Sequence, residues 1–304
     1  MGTTGDPGKP SDSPSARGRD VVRGAYDTHL HVEPDLIRRI VDDVQLARRF
    51  SELGLAGFVL KSHYVPTAER ASVVGAVVPG VSVFGSITLN RGVGGLNPVA
   101  VEIAAREGAR IVWLPTVDAE NEAGDTVSLS SKQPVWRTVQ NEFASVGLSE
   151  GPVKVERGQI ERVVAVIARH HLALATGHLD SNEISEVVEM AIRGGVRCVV
   201  ITHPDYPTQS VPIEQQLSLA RRGAILERCF APIYSGKVAW RQTFDAIWAT
   251  GIQNNVLSTD LGQPSNPPVE DGLALMADQL MAAGFSDDEV HTMAVVNSRR
   301  VVGA

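Results

Sequence analysis

The chain has 304 residues, of which 43% are hydrophobic and 21% charged, with a formal net charge of −7 and a pI near 5.6. An acidic chain of this kind is a poor match for nucleic acid or an anionic membrane surface, and no apolar run approaches the roughly 20 residues that span a bilayer. The two cysteines, Cys198 and Cys229, lie in apolar runs and imply no disulfide framework, so a cytoplasmic, reducing compartment is expected.

Residues 1–20 are rich in Gly, Pro, Ser and Thr without apolar periodicity, and are expected to form a disordered tail. No apolar run of a secretory signal follows their basic residues. The folded part is expected to span 21–304. It begins with Tyr26-Asp27-Thr28-His29-Leu30-His31-Val32. On a strand, residues two apart share a face, so Asp27, His29 and His31 align. Two imidazoles on one rigid edge can grip a metal ion and leave its far side to water and substrate. Asp27, one step deeper, is placed to accept a ring N–H and fix a ligand tautomer.

Leu46, Ala47, Phe50 and Leu53 then fall at helical spacing and stop at Gly54. The run Gly57-Phe58-Val59-Leu60 delivers Lys61 and His63. A helical stretch over 68–76 leads to Val81-Ser82-Val83-Phe84 and on to Leu89-Asn90-Arg91. A further helix over 99–107 leads to Ile111-Val112-Trp113-Leu114. Ile160, Val163, Val164 and Ile167 form an i, i+3, i+4, i+7 stripe, and Leu172-Ala173-Leu174-Ala175 follows, ending at His178. Asp180 and Glu183 form a capping box before Ile184, Val187 and Val188. Cys198-Val199-Val200-Ile201 ends at His203, and Ala224-Ile225-Leu226 ends at Glu227 and Cys229. Val256-Leu257 ends at Asp260. Two terminal helices close the chain, the last capped by Ser286 with Glu289 three residues on.

Continuous apolar strands alternating with helices suit a parallel sheet buried on both faces, either closed or doubly wound. The polar residues decide between them. They gather at the C-terminal ends of the first, second, fifth, sixth and eighth strands, and the first and last strands of such a series converge only in a barrel. The predicted fold is therefore α/β, an eight-stranded (β/α)8 or TIM barrel. Strand-end markers recur about every 25 to 31 residues, except for about 62 between Thr116 and His178, against a usual unit of roughly 30. An insertion over 115–154, after the fourth strand, is a candidate lid or contact between copies in a homo-oligomer.

Of eight histidines, His29, His31, His63, His178 and His203 fall at predicted strand ends. His170, His171 and His291 fall on helices or their ends and read as surface groups. Nitrogen and oxygen donors of this set suit Zn²⁺ and also accommodate Mn²⁺, Fe²⁺, Co²⁺ or Ni²⁺.

The pattern resembles the amidohydrolase superfamily of metal-dependent hydrolases, whose signature is Asp-x-His-x-His on the first strand, His on the fifth, His on the sixth and Asp on the eighth. The matching residues are Asp27, His29, His31, His178, His203 and Asp260, and the ending Asn297-Ser298-Arg299-Arg300-Val301-Val302-Gly303 is similar to the superfamily's last helix. More narrowly, Val59-Leu60-Lys61-Ser62-His63 and Leu89-Asn90-Arg91 resemble the DUF6282 group, a short amidohydrolase-related family that names no substrate. The resemblance implies one or two ions held by His29, His31, His178, His203 and Asp260, with Asp260 the general base toward a metal-activated water. There is one departure. Two-metal members carry a bridging Lys or Glu at the end of the fourth strand, where this chain reads Leu114-Pro115-Thr116-Val117-Asp118. Lys61, ending the second strand, is the candidate replacement as a carboxylated lysine. Its alternatives are a cation stabilising an oxyanion and a structural ion pair.

His63, Tyr64, Asn90, Arg91 and Tyr234 are candidate substrate contacts at the mouth. Glu227 is either a partner for Lys61 or an acceptor for a substrate amine. The Asn90-Arg91-Gly92-Val93-Gly94-Gly95 run lacks Walker spacing and reads as an active-site loop. The expected function is hydrolysis of an amide, cyclic amide or ester/lactone bond of a small molecule, and the scarcity of basic residues around the site weighs against phosphoesters. The alternatives are a mononuclear-metal decarboxylase or hydratase of the same barrel type, and a non-catalytic metal-binding barrel. Retention of Asp260 beside four histidines weighs against the last.

Overall fold

The computed structural model describes residues 13–123, 135–148 and 151–304. Eight strands follow one another in chain order around one sheet, every neighbouring pair parallel. They are β1 (Tyr26–Leu30), β2 (Gly57–Leu60), β3 (Ser82–Thr88), β4 (Ala109–Trp113), β5 (Ala173–Ala175), β6 (Cys198–Ile201), β7 (Ile225–Cys229) and β8 (Asn255–Ser258). The circle closes just past the strand ends, where Asp260 N donates to His29 O at 2.7 Å and His31 N to Leu261 O at 2.8 Å. The expected (β/α)8 barrel is the observed fold. Most of its strands are apolar runs because one face meets the barrel interior and the other the helices.

Helix α1 (Ala16–Val21) precedes the barrel, and α2 (Asp43–Leu53), α3 (Ala68–Val77) and α4 (Pro98–Arg106) follow β1, β2 and β3. After β4 come α5 (Glu120–Ala123), α6 (Val135–Ser145) and α7 (Arg157–Arg169). Then α8 (Ser181–Arg193) follows β5, α9 (Ile213–Arg221) follows β6, and α10 (Phe230–Tyr234) and α11 (Trp240–Thr250) follow β7. The chain ends with α12 (Gly272–Ala282), α13 (Asp287–His291) and α14 (Asn297–Val302). The capping boxes of α8 (Asp180 with Glu183) and α13 (Ser286 with Glu289) are formed. No described helix is long and apolar enough to cross a membrane.

Helix α14 plugs the bottom of the barrel. Ser298 Oγ accepts from Tyr26 N at 3.1 Å, and Val301 and Val302 join an interior cluster with Tyr26, Val59, Trp113 and Val256. That leaves the C-terminal ends of the strands as the face where chemistry can be built.

Two stretches are more regular than their composition implies. Most of the tail expected to be disordered, 1–12, lies outside the described residues, but the segment from Ser13 is placed and Ala16–Val21 is helical. Ser15 caps it, and Ser15 N and Oγ donate to Asp278 at 2.7 and 2.5 Å. Arg19 pairs with Asp271 at 2.8 Å. Polar anchors on α12 and just before it hold this segment beside the buried Val21, so apolar periodicity carried little signal of it. The 115–154 insertion contains α5 and α6, while 124–134 and 149–150 lie outside the described residues. Gln140 on α6 donates to Asp118 Oδ1 at 2.8 Å and also to Val117 O, tying α6 to the end of β4.

Candidate metal centre

On the β1/β8 side, His29 Nε2 and His31 Nε2 each lie 3.2 Å from the same atom, Asp260 Oδ1. Ligand atoms around a tetrahedral ion with bonds of roughly 2.0–2.1 Å are spaced about 3.3 Å apart, so this convergence has the dimensions of a donor set. Both imidazoles are buried, while Asp260 is 20% exposed. Two backbone features aim them. Asp260 takes a left-handed φ of 51°, rare for a residue with a Cβ. At Gly262 (φ 130°) a Cβ would lie 1.9 Å from His31 O, so only glycine lets the β8 loop press against β1.

Glu227 Oε2 accepts from His29 Nδ1 at 3.0 Å, which leaves Nε2 to face the cluster. Burial and Lys61 disfavour a proton on His29, but Glu227 and Asp260 outweigh them and raise its pKa to about 9. Burial opposes the charge on Asp260 as well, yet the two histidines hold its pKa well below the carboxylate range. Burial, aided by Arg39, keeps His31 neutral. Lys61 Nζ lies 2.8 Å from His29 Nε2 and 5.2 Å from the Trp113 ring centre, and its pKa is lowered by burial. Its hydrogen bond is to His29, and Glu227 bonds the same ring from the other side.

Asp27 does not hold a ring N–H. It accepts from Thr259 Oγ1 at 2.5 Å, Thr259 N at 3.0 Å and His29 N at 3.3 Å, and so staples β1 to the end of β8. The donors nearest its short side chain belong to the neighbouring strand. Burial still raises its pKa to about 7 against these bonds.

On the β5/β6 side, Gly177 (φ 61°) sits where a Cβ would lie 2.3 Å from Leu114 O, and it delivers His178 to the mouth. The His178 and His203 rings are 5.1 Å apart, and His203 lies 5.9 Å from His29. Burial, with His178, lowers the His203 pKa to about 3. The Nδ1 atoms of His31, His178 and His203 are buried without a hydrogen-bond partner among the described residues. Such atoms are rare; an ion between β5 and β6 would satisfy those of His178 and His203, whereas His31 turns Nε2 rather than Nδ1 toward the cluster. The residues therefore fit a divalent metal. Glu122, on α5, escaped the sequence reading. Its Oε1 lies 2.9 Å from His178 Nδ1 and accepts from Thr208 Oγ1 at 2.8 Å.

The remaining predicted residues fall into three groups. His63 is buried, stacks on His31 at 4.9 Å and meets Thr116 Oγ1 through Nδ1 at 2.8 Å. Asn90 donates to His63 O at 2.9 Å and Thr116 Oγ1 at 2.7 Å and accepts from Thr116 N at 2.8 Å, so its amide is spent on joining three strand ends. Tyr64 and Arg91 line a cavity of about 590 Å³ beneath α6, with Leu36, Val65, Phe143 and Glu122. Arg91 also donates to Pro152 O at 3.1 Å. Tyr234 packs on Phe230 with rings 5.5 Å apart, against the core rather than the histidines. Cys229 lies 3.7 Å from His29 Nδ1, and burial raises its thiol pKa, so it stays a small neutral group. Buried Arg39, also missed, is held by Asp35 at 2.7 Å.

A profile of a family of unknown function (DUF6282) matches residues 24–227. No curated protein matches the chain. Among solved structures it is similar to an amidohydrolase from Pseudomonas aeruginosa, at 12% identity and TM-score 0.59, covering 94% of this chain and 99% of that one. It is also similar to a beta-aspartyl dipeptidase from Fervidobacterium islandicum, at 14% and 0.61, covering 92% and 73%. An amidohydrolase from Burkholderia multivorans with bound zinc matches at 12% and 0.54, covering 92% and 99%. At such identities the likeness is one of fold.

Proposed function

We propose a function for a chain that belongs to the DUF6282 family and folds as the amidohydrolases do: hydrolysis of an amide, cyclic amide or ester/lactone bond of a small molecule by metal-activated water. The observation that carries it is the convergence of His29 Nε2 and His31 Nε2 on Asp260 Oδ1, 3.2 Å from each. His29, His31, His178, His203 and Asp260 would hold one or two divalent ions, with zinc favoured by the donor set and by the zinc in the Burkholderia multivorans relative of fold. Such an ion supplies a water with pKa near 7 and polarises the scissile carbonyl.

Asp260 is the proton carrier in this reading. Its carboxylate is held ionised by the two histidines and is the most accessible of the converging side chains. It takes the proton from the attacking water and returns it to the leaving group. Lys61, as a carbamate, would be a further anionic ligand beside His29. Burial lowers its pKa and so frees the amine lone pair, which adds to CO₂ with loss of a proton to give an anionic carbamate. The cavity beneath α6 receives the body of the substrate, with Leu36, Val65 and Phe143 favouring an apolar group.

The test strips the protein with a chelator, reloads it with Zn²⁺, Co²⁺ or Mn²⁺, and assays N-acyl amino acids, cyclic amides, lactones and aryl esters. Turnover is expected only in the loaded protein. A loaded protein inert to the whole panel but able to decarboxylate an aromatic acid would move the assignment to the lyase class.

A further inference from the structure

We propose that Arg228 is a positioning residue for the metal centre, fixing His203 through a buried ion pair with Asp205. The proposal rests on the reading of His203 as a metal ligand. Side chains alternate along β7. Glu227 faces the barrel interior and bonds His29 at 3.0 Å, while Arg228 faces the helix layer, toward α9 and α11. There Arg228 is 1% exposed, and each nitrogen of its rigid fork has a partner. Nη1 meets Asp205 Oδ2 at 2.5 Å, Nη2 meets Gln216 Oε1 at 2.9 Å and Nε meets Asn255 Oδ1 at 2.8 Å. Gln216 closes the ring, since its Nε2 donates to Asp205 Oδ1 at 2.9 Å and to Val211 O at 2.9 Å. Both oxygens of Asp205 are therefore held.

Asp205 lies two residues after His203, inside the turn that Tyr206 N closes by donating to His203 O at 2.9 Å. His203 takes a left-handed φ of 25°, which a residue with a Cβ keeps only where its surroundings impose it. The ring does not supply that constraint. Its Nδ1 is without a hydrogen bond among the described residues, and its neighbours are the His178 and Tyr206 rings at 5.1 and 5.2 Å. His29, by contrast, is held through Nδ1 by Glu227. The aim of His203 thus comes from its backbone, and the turn that sets it is anchored at Asp205. A buried ion pair adds little stability that apolar side chains of similar volume would not supply. Its consequence here is the placement of the turn. Two adjacent residues of β7 serve two sides of the mouth, Glu227 directly and Arg228 through Asp205.

The full-length proteins are stripped, titrated with Zn²⁺ against a chromophoric chelator, and compared as Co²⁺ forms by visible absorption. Melts of the metal-free proteins report stability. His203→Ala identifies the site this residue serves by the affinity it removes. Arg228→Met should lower the affinity of that site roughly 10–100-fold and shift the Co²⁺ bands. The double variant Arg228→Met/Asp205→Leu replaces the pair with apolar groups, and should melt near wild type without recovering the affinity. It also carries the test if the single variant does not fold. Thr250→Val opens the far edge of the same network, where Thr250 Oγ1 accepts from Asn255 Nδ2 at 2.9 Å. It should lower the melting temperature and leave affinity and bands unchanged. Wild-type affinity and bands in Arg228→Met or in the double variant overturn the proposal. So does an equal loss of affinity in Thr250→Val, or an unaltered affinity in His203→Ala. The hydrolase reading survives each of these, since it stands on the β1/β8 half, whereas a wild type that binds no Zn²⁺ sinks both.

Discussion

On the β1/β8 side of the barrel mouth, each converging donor sits at the end of a strand that is hydrogen-bonded to its neighbour. Asp27 staples the two strands and Glu227 sets the His29 ring. On the β5/β6 side the two histidines also sit at strand ends, but the nearby acid arrives from α5, in an insertion that also roofs a cavity. The first half is rigid before anything binds, because its donors are cross-braced by buried bonds. The second half is tied to the insertion that roofs the cavity.

The largest effect should come from dismantling the rigid half. Replacing His29 and His31 together with Ala is expected to remove its ion and abolish turnover while the barrel still melts cooperatively. A double variant that retains the wild-type number of tightly bound ions would break the comparison at its root. Next, Asp260→Asn should keep most of the metal, since other ligands remain, yet lose on the order of 10²–10⁴ in turnover. Near-normal turnover in that variant removes Asp260 from the proton-carrying role.

Glu227→Gln tests the brace rather than the ligands. A fall of roughly 10–100-fold in metal affinity at the β1/β8 half is expected, read by competition with a chromophoric chelator. An unchanged affinity would mean that the His29 ring is held by other contacts. The smallest effect is that of a single pH unit. With its pKa raised to about 9, His29 carries a proton at neutral pH that an incoming ion must displace, whereas His31 and His203 are already neutral. Affinity of the β1/β8 half should therefore rise by up to tenfold per pH unit until about pH 9 and then flatten, with about one proton released on filling that half at pH 7. Calorimetry in buffers of different protonation enthalpy measures that release, and a value of zero contradicts it.

The five metal-ligand candidates were legible because His29 and His31 alternate on the first strand, the other three follow apolar runs, and the set matches the superfamily signature. Glu122 was not. It belongs to a four-residue helix with no periodicity of its own, in a stretch whose length alone was informative. Tyr234 read as a mouth residue because it follows β7, but α10 turns its ring onto Phe230. Helix α1 was hidden for the opposite reason, since its anchors are polar groups on α12 and at its start.

What the amino-acid order determined by itself is the succession of strand and helix, and with it the set of polar groups carried to one end of the barrel. Hydrophobic periodicity is local, and a chain of such units buries its apolar faces by closing. Only the tertiary structure decided which polar group takes which partner. Glu227 meets His29 rather than Lys61, Glu122 meets His178, and Asp27 reaches Thr259, 232 residues away in the chain. Those pairings depend on through-space distances of a few ångströms between segments that share no local sequence signal, and in a buried mouth such distances select the partner.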